Sequence, residues 1–126
     1  MSSRNYYQEI FDLVLPFLPE SWQKVVLYAE YGEDSRCIEF YVKDAEGHYT
    51  KCFDILGAAN DELLDAFDEM DEVFEAQRQE LPDGSVWTSS TLTVTSAGRL
   101  DADFDYSDLS ESSFEHKKEW RARYLA

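Results

Sequence analysis

The feature that most limits how this chain can fold is a change of hydrophobic period along it. From Lys24 onward, Val25, Leu27, Ala29 and Tyr31 alternate with Lys24, Val26, Tyr28 and Glu30, and further on Ile38, Phe40 and Val42 alternate with Glu39, Tyr41 and Lys43. A period of two is what a strand shows when one of its faces meets a core. Gly32-Glu-Asp-Ser35 and Asp44-Ala-Glu-Gly47 have turn composition, so these segments and a short strand over 48–53 read as an antiparallel meander.

Helical periods flank the meander. Tyr6, Tyr7, Ile10, Phe11 and Val14 recur at helical spacing ahead of Pro16 and Pro19. Leu63, Phe67, Met70, Phe74 and Leu81 mark one apolar stripe of a long helix that Asn60 can cap and Pro82-Asp-Gly84 ends. Strands over 87–95 and 99–106, joined by Ser96-Ala-Gly98, form a hairpin, and Ser112 and Glu115 have the spacing of a capping box opening a last helix. The predicted order is α-β-β-β-α-β-β-α. That is an α+β fold: an antiparallel sheet of about five strands with helices packed on one face. Its 126 residues make one domain, 1–126, long enough to bury roughly 65–70 % of the unfolded surface without disulfides or metals.

Charge decides which partners the chain admits. There are 27 acidic and 11 basic residues, a formal net charge of −16, yet 44 % of residues are hydrophobic, which sets the chain apart from acidic disordered sequences. This sign disfavours direct contact with nucleic acid or anionic lipid and favours basic proteins. No apolar run approaches the ~20 residues of a membrane span, and 1–10 lacks the apolar core of a signal peptide, so the expected location is cytoplasmic. With a turn at 44–47, Cys37 falls near Asp54 and Cys52 near Glu39, so the two cysteines are expected to be reduced thiols.

Two acidic stripes stand out. The long helix carries Asp61, Glu62, Asp65, Asp68, Glu69, Asp71, Glu72, Glu75 and Glu80 against one base, Arg78. Like charges four residues apart on a helix each cost a few tenths of a kcal/mol, so the stripe is either a solvated face or a surface kept for a partner. It could also oppose Lys117, Lys118, Arg121 and Arg123 of the last helix within the monomer. The second stripe is Asp101, Asp103 and Asp105 on one strand face, with Asp108 just beyond. Their spacing is about 7 Å along the strand. Asp is a poor strand former, which makes this row more informative than acids on a helix, although charge also protects edge strands from aggregation. Asp101, Asp103, Asp105 and Asp108 are thus the candidate contact set, with Asp65, Asp68, Glu69 and Glu72 supplying a broader field.

Signs of catalysis are thin. The row resembles the start of a calcium loop, but the required glycine and glutamate positions hold Tyr106 and Ser112. His48 and His116 read as surface residues, Cys37 and Cys52 have no CxxC spacing, and no glycine-rich phosphate loop is present. No catalytic residue, metal ligand or cofactor is assigned. Tyr28 and Tyr41, opposite the core faces, are candidates for an aromatic patch on an open sheet surface.

Taken in order, Leu27-Tyr-Ala-Glu30, Ile38-Glu-Phe-Tyr-Val-Lys43, the acidic helix 62–80, Trp87-Thr-Ser, Gly98-Arg-Leu-Asp-Ala-Asp-Phe-Asp-Tyr106 and Glu119-Trp-Arg-Ala-Arg-Tyr-Leu125 resemble the YezG-like immunity (antitoxin) family. The resemblance runs from about Tyr7 to Leu125. It implies a small cytoplasmic protein, not an enzyme, that binds and neutralises a cognate toxin domain, commonly a nuclease, of a secreted or contact-delivered system. The alternative function is an acidic nucleic-acid mimic or chaperone-like adaptor for basic proteins.

Overall fold

In the computed structural model, which describes residues 5–18, 20–31, 36–52, 54, 61–82, 86–106 and 113–125, each change of period becomes a change of element. Helix α1 (Tyr6–Val14) runs into a 3-10 turn (Leu15–Phe17); strands β1 (Lys24–Tyr31), β2 (Arg36–Lys43) and β3 (Tyr49–Lys51) follow, then helix α2 (Asp61–Glu80), strands β4 (Ser89–Thr95) and β5 (Leu100–Asp105), and helix α3 (Ser113–Tyr124). This is the predicted α+β order. Helix α1 starts where the Asn5 side chain accepts a 3.1 Å hydrogen bond from the Gln8 N–H, satisfying a first-turn donor. The expected cap Asn60, the turn 32–35 and Ser112 of the capping box lie outside the described residues.

The five strands pair antiparallel in the order β3-β2-β1-β4-β5. The meander therefore builds one half of the sheet and the hairpin adds to the other side of β1. Val25, Leu27, Ala29 and Tyr31 of β1, Phe40 and Val42 of β2 and Leu92 and Val94 of β4 share one face. On it lie Ile10 and Val14 of α1 and Leu63, Met70, Val73 and Phe74 of α2. Burying each such side chain is worth about 1.5–3 kcal/mol, so this layer is the main core.

The helices do not all share that face. α1 and α2 do, but α3 lies across the other, because β1 and β2 are apolar there too. Val26, Tyr28 and Tyr41 are buried with Trp120 in a second, smaller cluster. Trp120 stacks 4.7 Å from Tyr28 and 5.8 Å from Tyr41 and donates a 2.7 Å hydrogen bond to Thr91 Oγ1. The aromatic patch expected at Tyr28 and Tyr41 is consequently interior, not an open sheet surface.

The turn between β2 and β3 also shifts the register by one residue from the expectation. Gly47, at φ +88°, takes the left-handed position of a bulged turn, and Asp44 N–H bonds His48 O, so Lys43 faces Tyr49 and Tyr41 faces Lys51. Cys37 and Cys52 are both free thiols.

Candidate acidic binding surface

The sheet separates the two acidic stripes. On α2, Leu63, Ala66, Met70, Val73, Phe74 and Gln77 are buried, which turns Asp65, Asp68, Glu69 and Glu72 outward, and all four are exposed. Arg36 at the start of β2 ties back part of this face: it reaches Asp68 at 3.3 Å and pairs with Asp71, whose carboxylate also accepts a 2.7 Å bond from the Tyr31 hydroxyl. Asp65, Glu69 and Glu72 form no ion pair among the described residues. Glu69 and Glu72 instead border a groove of about 390 Å³ between α1 and α2, with Glu9 and Asp12 on its other wall and Leu13 and Val73 at its base.

Lys117, Lys118, Arg121 and Arg123 do not neutralise that stripe, as the sequence allowed, because α3 sits on the opposite side of the sheet. Lys117 turns inward to Glu39. The Glu39 carboxylate, 4 % exposed, lies 2.5 Å from Lys117 Nζ and 3.0 Å from Lys51 Nζ. Burial pushes the Glu39 carboxyl up, but the two ammonium groups outweigh it and hold it below the ordinary carboxylate value. Cys37 Sγ lies 3.5 Å from Lys117 Nζ, and burial leaves its thiol above its ordinary value in spite of the lysine.

The strand row is on the α3 side. The pairing Thr91↔Asp103 places Asp101, Asp103 and Asp105 on one face, as their spacing predicts. They are not equivalent. Arg99 Nε reaches Asp101 at 2.9 Å, and Asp103 accepts a 2.8 Å hydrogen bond from the Tyr124 hydroxyl. Burial and that carboxylate together raise the Tyr124 hydroxyl pKa. Asp103, Asp105, Trp120, Arg123 and Tyr124 border a cleft of about 240 Å³ between β5 and α3. Asp108 lies outside the described residues. Because the row belongs to a strand paired along its length with β4, it is not a calcium loop, and among the described residues no three His, Cys, Asp or Glu side chains converge as a metal site.

Sequence reasoning missed the Lys51–Glu39–Lys117 cluster, placing Glu39 only on the strand face opposite Ile38, Phe40 and Val42. The available signal was Lys117 and Trp120, three residues apart on a helix whose tryptophan needed a partner face. No helix among the described residues is long and apolar enough to cross a membrane.

Comparison with known proteins matches the sequence to a family over almost its whole length. Immunity protein YezG of Bacillus subtilis (strain 168) is 28% identical over 123 residues, covering 89% of this chain and 78% of that protein. Immunity protein YezG of Bacillus spizizenii (strain ATCC 23059 / NRRL B-14472 / W23) is 28% identical over 114 residues, covering 82% of this chain and 68% of that protein. The family profile described as "Immunity protein YezG-like" matches residues 3–125, and the chain belongs to this family of immunity proteins.

Proposed function

We propose that this protein is a cytoplasmic, non-enzymatic antitoxin that binds the nuclease domain of a secreted or contact-delivered toxin and blocks it by forming a tight complex. The observation that carries this reading is the outward acidic face of α2, where Asp65, Glu69 and Glu72 remain without a basic partner among the described residues while the basic helix α3 is used elsewhere. A nuclease must attract phosphate, so the rim of its cleft is positive, and an acidic protein is steered to it. Inhibition then needs no chemistry from the immunity protein. Titrating this protein into the nuclease domain of its cognate toxin should abolish cleavage at one equivalent, with no effect on unrelated nucleases. Undiminished cleavage at excess antitoxin overturns the nuclease target. Equal binding to unrelated basic proteins would instead mark a general adaptor.

A further inference from the structure

Strand β5 forms one edge of the sheet, and the other edge, β3, is only three residues long. At the β4–β5 turn the Thr95 N–H donates to Arg99 O at 2.9 Å, and at the far end the Thr88 N–H donates to Asp105 O at 2.8 Å. In an antiparallel pair this phase repeats every second residue. Asp101, Asp103 and Asp105 therefore direct their backbone groups into β4, and Leu100, Ala102 and Phe104 direct theirs outward, where no strand lies among the described residues. The side chains flanking this edge differ by face. On the α3 side is the aspartate row, with the Asp101 side chain 56% exposed. On the α1 side is Phe104, 38% exposed, its ring 6.0 Å from Tyr7 and 6.1 Å from Trp87, so that the main core reaches the edge.

We propose that the outer edge of β5 receives an extended segment of the toxin domain as a sixth strand, with Lys or Arg at alternate positions facing the aspartate row and an apolar residue between them facing Phe104. The inference rests on the reading of this protein as a toxin-binding antitoxin and names the surface that binds. Main-chain hydrogen bonds to Leu100, Ala102 and Phe104 supply adhesion, and the two-faced alternation supplies selectivity. A second copy of this chain does not fit the edge: antiparallel β5–β5 pairing would set one aspartate row against another, and like charges across a strand pair are destabilising.

Amide hydrogen exchange on the full chain tests this. The probes are an eight-residue peptide of alternating Lys and Val and a control of four Lys followed by four Val, equal in charge and composition. The alternating peptide should slow exchange at the Leu100, Ala102 and Phe104 amides by about tenfold or more, and the control should not. Ala102→Pro removes one outward N–H without touching a bond to β4, and should erase the difference in affinity between the peptides. If that variant does not fold, the exchange pattern of the unaltered chain still decides. Equal affinity for both peptides with β5 amides unprotected overturns the edge, leaving charge attraction alone, and so does protection of these amides in the free chain that grows with its concentration. The toxin domain separates the two readings. A complex whose β5 amides exchange at the free rate overturns the edge inference only, whereas a toxin domain that does not bind overturns the proposed function.

Discussion

At the scale of single residues, Glu39 is the one buried Asp, Glu, Lys or Arg among the described residues. Its carboxylate is nearly inaccessible, and its two ammonium partners come from different elements, Lys51 on β3 and Lys117 on α3. Removing one member of a fully buried ion pair costs about 3–5 kcal/mol. Here the lysines keep 39% and 24% of their side-chain exposure, so water can rescue them in part, and Glu39→Gln should lower stability by roughly 1–3 kcal/mol. Urea unfolding at neutral pH measures this. The pH dependence follows from the directions of the shifts. Because the folded carboxyl sits below its ordinary value of 4.5, its stabilising contribution is complete above that pH and is lost as the pH falls through the lower folded value. Lys51 is raised by its bond to Glu39, and in Lys117 the same carboxylate and the Cys37 sulfur outweigh burial, so both lysines lie above 10.5 and their contribution fades only above that pH. The parent should therefore lose stability below about pH 4.5 more steeply than Glu39→Gln. Parallel acid limbs for the two proteins would show that the pair contributes nothing.

At the scale of elements, α3 is held to the sheet by buried Trp120 together with the Lys117–Glu39 ion pair and the Tyr124–Asp103 hydrogen bond. Trp120 packs on Tyr28 and Tyr41 and hydrogen-bonds Thr91. Trp120→Ala should cost about 3–5 kcal/mol if the helix stays in place, or less if it detaches. Near-UV circular dichroism with a trypsin time course distinguishes these outcomes, since a detached α3 unwinds and opens the peptide bonds after Lys117 and Arg121 to cleavage. The same helix marks the limit of what the sequence shows. Period-two segments and turn composition placed all five strands, and the stripe through Leu63, Met70 and Phe74 oriented α2, because apolar periodicity reports which face meets a core. It does not report which side of a two-faced sheet a helix takes. Tyr28 and Tyr41 sit among charged residues, and only the placement of Trp120 shows that their face is interior. The acidic stripes were legible as stripes, but that α3 lies with the β5 row and leaves the α2 acids on the far side of the sheet was not, since it depends on the path of α3. That separation allows a division of labour among the acids. Replacing Asp101, Asp103 and Asp105 by Asn keeps strand β5 and the hydrogen-bonding shape of each side chain while removing like-charge repulsion. Folding should be unaffected, and affinity for the toxin domain should fall by at least about 2 kcal/mol if two of the three enter buried charge pairs. Calorimetric titration checks the value, and unchanged affinity would make the row a solubilising surface.

At the scale of the whole molecule, the charge of −16 is distributed over both sides of the sheet, and Arg36, Arg99 and Lys117 are engaged by acids of the chain itself. The α2 acids face away from the β5 row, with a helix layer and a sheet between them, a separation on the order of 10 Å or more. That distance compares with the Debye length, about 10 Å at 0.1 M salt and about 3 Å at 1 M. At low salt an approaching basic domain therefore feels both stripes together, and at high salt only the one it touches. Association should accelerate strongly as salt is lowered from ~500 to ~50 mM, while dissociation, set by contacts already made, changes much less. Changing Asp65, Asp68, Glu69 and Glu72 to Gln removes charge from the side away from β5. It should reduce the association rate by about tenfold at ~50 mM salt and far less at ~500 mM, with dissociation nearly unaltered. Stopped-flow mixing across this salt series measures both rates. An association rate that stays flat with salt would make the net charge incidental to recognition, and a faster dissociation in the four-Gln variant would place the contact on α2 rather than on β5.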